Sequence, residues 1–188
     1  MSPFLPIDTL LIAACAWLAI GWAGLVAPRN MRFVSKTLFP LGALVGVIVG
    51  LVALGSLGGP AQTAVLVIGL PDLPFHLRLD NLSAVFALLL GFVAAGISIF
   101  AAGYFRKGEG TAPGLMCLQY HFFLASMLMV LLADDAYAFM VAWETMALSS
   151  FFLVHHRPPP RGDPPRRVPV PADRPHRRHR PSCCASAS

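Results

Sequence analysis

Five long apolar runs constrain this chain more than any other feature. A helix that crosses about 30 Å of hydrocarbon needs about 20 mostly apolar residues, because lipid offers the backbone no hydrogen-bond partners. Residues 7–27 carry no charge after Asp8, and residues 37–57 are rich in Gly, Val and Leu. Residues 82–104 form the longest run, while 115–133 and 136–154 lie near the shorter limit. Only Asp134 and Asp135 separate the last two, which predicts a tight helical hairpin. The expected fold class is an all-α membrane protein with about five transmembrane helices. Composition agrees: charged residues are 12% of the chain, about half the fraction a soluble domain carries.

Charge is segregated along the chain. Residues 1–154 hold Arg29, Arg32, Lys36, Arg78, Arg106 and Lys107, and the other eight cations, all Arg, lie in residues 155–188. The net charge of +5 therefore belongs to the tail. Within the body, Arg29, Arg32 and Lys36 follow the first run, and Arg106 and Lys107 follow the third. The opposite side has Arg78 alone, with Asp72, Asp80, Asp134 and Asp135. The excess of cations puts the first and third loops in the cytoplasm and the N-terminus outside. No Lys or Arg falls inside an expected span.

Residues 58–81 form the one substantial outer loop. "AVLVIG" is too short to span, "FHLRLD" alternates like a half-buried strand, and Pro71 and Pro74 between them mark a turn. The pattern predicts a small hairpin lying on the outer face, with an irregular loop as the alternative. "IAAC" at residues 12–15 has the look of a lipoprotein cleavage box. No basic n-region precedes it and the apolar run continues past the cysteine, so the first span is expected to stay.

Glu144 is the candidate functional residue. It lies near the middle of the fifth run, about 12 Å of helix rise from the outer end. An acid at that depth costs about 3 kcal/mol on insertion scales, and such groups face a bundle interior or a wet cavity and mark ion paths. Tyr137, Met140, Val141, Ala147 and Leu148 share its helical face and cannot neutralise it. It must meet a partner from another helix or take up a proton; the structural alternative is a packing hydrogen bond. His121, with Tyr120 beside it, is the other strongly titratable side chain well inside a span and the second candidate for a proton path. Lone histidines in apolar helices also occur as satisfied packing groups.

The remaining polar groups have plain readings. Ser98, Ser126, Ser149 and Ser150 can bond the carbonyl one turn back. Gly42, Gly46 and Gly50 form a ladder that favours close helix packing. Cys15 and Cys117 sit in apolar runs, and Cys183 and Cys184 are adjacent in the tail without metal-ligand or disulfide spacing. No glycine-rich phosphate loop, CxxC pair or HExxH occurs. No cofactor, metal or catalytic centre of the chain's own is expected.

"RLDNLSAVFALLL" (residues 78–90), "GYFRKGEG" (103–110) and "FFLASMLMVLLADDAYAFMVAWETMALSSFFLV" (122–154) resemble the antiporter-like, proton-translocating subunits of complex I and related membrane hydrogenases, notably the hydrogenase-4 component B type. The resemblance covers about residues 1–154 and is most specific in the Asp-x-Leu-Ser and Ala-Asp-Asp…Ala-Trp-Glu blocks. It implies that Glu144, after Trp143, is the proton-path carboxylate of a fifth helix. In that family the acid pairs with a lysine on the seventh helix, and the path continues on later helices that this chain departs from. The implied partners are other membrane and peripheral subunits of a hydrogenase or complex I-like assembly, within the cell inner membrane. No nucleic-acid partner is implied.

Residues 155–188 contain nine Pro, eight Arg and four His, with no Leu, Ile, Phe, Met or Lys. Such a segment cannot bury enough surface to fold and is expected to be disordered. Eight cations that are all Arg, among Pro and Ala, are what a GC-rich gene yields when read out of frame. The expected organisation is a membrane region over 1–154 and a frameshift product over 155–188. Three functions follow: part of a proton- or sodium-translocating subunit, a non-conducting membrane scaffold, or a nonfunctional remnant.

Overall fold

The computed structural model describes residues 5–26, 28–70, 73–104 and 113–155, which lie in one compact unit. Arg106, Lys107 and tail residues 156–188 lie outside them, and with them the expected disorder of the tail. The elements run α1 (Pro6–Val26), α2 (Met31–Phe33), a π-helical turn (Val34–Leu38), α3 (Phe39–Ser56), β1 (Gln62–Leu70), β2 (Leu73–Leu79), α4 (Asn81–Tyr104), α5 (Pro113–Leu132) and α6 (Ala136–His155). Among the described residues five segments are long and apolar enough to cross a membrane: Pro6–Val26, Val34–Ser56, Asn81–Gly103, Pro113–Leu132 and Ala136–Val154. The protein is a mostly helical, multi-pass membrane chain.

The second span begins earlier than its apolar run. Phe39 N–H donates to Val34 O, five residues back, which closes the π turn. Pro40 follows at once and offers no N–H to the ladder, and a widened turn lets the helix continue across that gap. Lys36, expected in a loop, therefore lies in the first turns of a membrane helix. Its long stem can carry the ammonium back to the interface.

Helix α1 packs on α5 and α3, α3 on α4, and α5 on α6. Lipid tails are as apolar as the helices, so association relies on close packing and interhelical hydrogen bonds. Small residues supply the closeness. A Cβ added at Gly46 would lie 2.8 Å from Gly91 O, and one at Gly91 would lie 2.5 Å from Gly50 N. A Cβ added at Gly24 would likewise lie 3.0 Å from Gly114 O. The Gly42–Gly46–Gly50 ladder is thus split: Gly46 and Gly50 meet α4, whereas Gly42 meets His121 of α5.

β1 and β2 pair antiparallel from Gln62↔Leu79 to Leu70↔Leu73, with a bulge between Leu66 and Gly69. The alternation expected for β2 is realised. Leu77 and Leu79 are buried while His76 and Arg78 are exposed. The hairpin is fastened at two places. Ile7 N–H donates to Gln62 Oε1 at 3.1 Å, and Leu77 forms an isolated bridge with Ala133 in the α5–α6 turn.

Candidate functional site

The two acids between α5 and α6 act locally. Asp135 caps α6, accepting from Ala138 N–H at 2.6 Å and from His76 N–H at 2.9 Å. His76 Nδ1 lies 3.3 Å from the same carboxylate. The backbone N–H of Ala138, then that of His76, holds the Asp135 carboxyl below the usual carboxylate range. Asp134 N–H donates to His76 O at 2.9 Å, and its carboxylate faces Arg78 at 3.9 Å. Asp80 caps α4 in the same manner through Ser83 N–H at 2.7 Å, which also depresses its pKa. All three acids therefore tie the hairpin and helix starts together at one end of the bundle. Sequence placed Asp134 and Asp135 at that end but did not show the backbone bonds.

His121 is 0% exposed. Its Nδ1 lies 2.9 Å from Cys117 O, a contact that places the ring proton on Nδ1 and leaves Nε2 as the acceptor. Nε2 has no hydrogen-bond partner among the described residues. It lies against Gly42, where a Cβ would overlap it. Gly42 O in turn accepts Trp17 Nε1–H at 3.2 Å. Beside it, Tyr120 O–H donates to Ala94 O at 3.1 Å and lies 3.1 Å from Ser98 Oγ. Ser98 thus reaches across to α5 in place of the intrahelical bond expected of it. Ser126, Ser149 and Ser150 do bond back within their helices, at 2.8 Å.

Glu144 has a different setting. Over residues 136–154 of α6 the buried side chains are Ala138, Ala142 and Ser149, and Glu144 sits about 200° round the helix from Ala142. It is exposed, between exposed Met140, Trp143 and Leu148. Ion pairs among the described residues are His76–Asp135 and Arg78–Asp134, so none reaches Glu144. His121 and Glu144 are not brought together: the His121 ring contacts Phe39, Gly42, Cys117 and Tyr120. Among the described residues no group of three or more His, Cys, Asp or Glu is placed to hold a metal ion.

This architecture has known relatives. The family profile described as "NADH-Ubiquinone oxidoreductase (complex I), chain 5 N-terminus" matches residues 66–112, which cover most of the hairpin and the third span. In sequence and fold, the chain is similar to a region of complex I-like antiporter-type subunits. Hydrogenase-4 component B of Escherichia coli K12 is 38% identical over 78 residues, covering 42% of this chain and 12% of that protein. NADH-quinone oxidoreductase subunit L of Mycobacterium tuberculosis is 34% identical over 87 residues, 45% of this chain and 13% of that protein. A chain in the structure of the Mrp complex from Dietzia sp. DQ12-45-1b superposes with a TM-score of 0.59 at 26% identity, covering 80% of this chain and 16% of that one. The chain therefore spans less than a fifth of each relative's length.

Proposed function

We propose that this chain supplies the N-terminal membrane region of an ion-translocating subunit, with Glu144 as its intramembrane proton-path carboxylate. The observation that carries the reading is an acid at mid-span on the open face of the outermost helix, without a bonded partner among the described residues. Hydrocarbon does not tolerate such a group uncovered. A further helix bearing a cation, or a wet cavity between helices, satisfies it, and either arrangement makes it a proton acceptor and donor. No electron moves in this step, so redox chemistry belongs to other subunits.

His121 enters the same reading as a second acceptor through its Nε2 lone pair. A route from it to Glu144 needs groups beyond those described. The working assembly is a hydrogenase, complex I-like or Mrp-like complex in the cell inner membrane, with the hairpin on the outer face and Arg29, Arg32 and Lys36 on the cytoplasmic side. Residues 1–154 form the functional region and 155–188 an out-of-frame product. Replacing Glu144 by Gln in the full-length gene tests the proposal: coupled ion flux should be lost while the complex still assembles. Unchanged flux would leave Glu144 as a packing group and favour the scaffold.

A further inference from the structure

We infer that the cleft between the π turn and the end of α4 is a binding site for the headgroup of an anionic phospholipid, held by Lys36. The cleft is shallow and open, with a volume of about 410 Å³, and is lined by Ser35, Lys36, Pro40, Ala102 and Gly103. The spans Val34–Ser56 and Asn81–Gly103 begin and end there, so the cleft lies at headgroup depth. The inference rests on the membrane fold and not on the ion path through Glu144.

Three features fit that occupant. The charge is of the right sign: among the described residues at this end, 28–39 and 100–104 contain no Asp or Glu, and Arg32 lies one turn before Lys36. The lining polar groups leave the lysine as the ligand. Ser35 Oγ is engaged with Ala102 O at 2.5 Å, whereas the ion pairs among the described residues, His76–Asp135 and Arg78–Asp134, do not involve Lys36. An open, apolar strip of α4 leads away from the cleft and offers room for an acyl chain. Added Cβ atoms at Gly103 and Gly96, seven residues apart on one face, meet nothing within 4 Å. Ile99 and Phe100 flank that strip at 66% and 70% exposed.

The cleft has a structural origin. Gly46, Gly50 and Gly91 clamp α3 to α4 near mid-membrane, while the π turn before Pro40 widens the helix at its inner start. A basic pocket of this kind between helices suits a lipid phosphate.

The test uses the full chain in mixed micelles, with phosphatidylglycerol titrated against phosphatidylcholine and retained lipid counted by native mass spectrometry. Lys36→Gln should lower phosphatidylglycerol retention about fivefold, the weight of one interfacial lysine, and leave phosphatidylcholine unchanged. Gly103→Leu keeps the charge and fills the cleft, so it should lower retention as well. Arg29→Gln removes a cation at the same end outside the cleft and should change retention little. Helix content by circular dichroism checks that each variant is folded. Equal losses for Lys36→Gln and Arg29→Gln would overturn the inference in favour of diffuse charge. Displacement of the lipid by excess inorganic phosphate would overturn it in favour of a simple anion site.

Discussion

Gly42→Ala should destabilise the bundle, because at position 42 three helices meet through single atoms. Trp17 Nε1–H of α1 donates to Gly42 O, and the His121 ring of α5 lies against the Cα. The added methyl would fall on Nε2 and come within 3.1 Å of Cδ2 and 3.3 Å of Cε1. The ring has little freedom to yield. Its Nδ1 is bonded to Cys117 O at 2.9 Å, and the Phe39 and Tyr120 rings stand 5.9 and 5.2 Å away. Rotating the imidazole breaks the Cys117 bond, and moving α3 breaks the Trp17 bond. Overpacking costs about 1–3 kcal/mol, and one interhelical hydrogen bond in a membrane is worth about 1 kcal/mol. The expected loss is about 2–4 kcal/mol. His121→Ala alone should cost a similar amount through the void it leaves. In the double variant the methyl enters that void, so the pair should be no less stable than His121→Ala alone. Unfolding in mixed micelles of increasing SDS fraction, followed by circular dichroism, gives the three differences. Additive losses would refute the contact, since non-neighbours add and neighbours do not.

Two further predictions concern the hairpin end of the bundle and the tail. Asp135 has a depressed folded pKa, so its cap is fully present above the ordinary carboxylate range and is lost as pH falls through its lower folded value. Hydrogen exchange should show the first turn of α6 losing protection on acidification, and Asp135→Asn should remove that acid-range dependence. Sequencing the gene across codons 150–160 should reveal an alternative frame that encodes further apolar helices after residue 154. Confirmation of the frame as written, with no such alternative, would end the frameshift reading.

The spans were legible in the sequence because bilayer thickness sets their length directly. Their ends in the structure agree to within a few residues, apart from the second, where Lys36 hid a helix start that Pro40 and the π turn explain. The hairpin was legible from the alternation of residues 75–80, where Leu77 and Leu79 turn inward. Helix partners were not legible. Each span is apolar on all sides, so periodicity cannot show that α1 meets α5 or that α3 meets α4. Ser98 illustrates the same limit, since its bond to Tyr120 depends on which helix lies opposite. At the candidate site, sequence gave the depth of Glu144 and its lack of a partner on its own helix. Its place on the open face of α6 needed the fold.

The central claim, that Glu144 carries protons, is tested most directly by redox-coupled proton flux in sealed vesicles that hold the complete assembly. Glu144→Gln, which keeps the shape and removes the exchangeable proton, should reduce flux to the level of uncoupled vesicles. Glu144→Asp should retain part of it, and subunit content should stay unchanged in both. Flux at the unsubstituted level in an intact Glu144→Gln assembly would contradict the account.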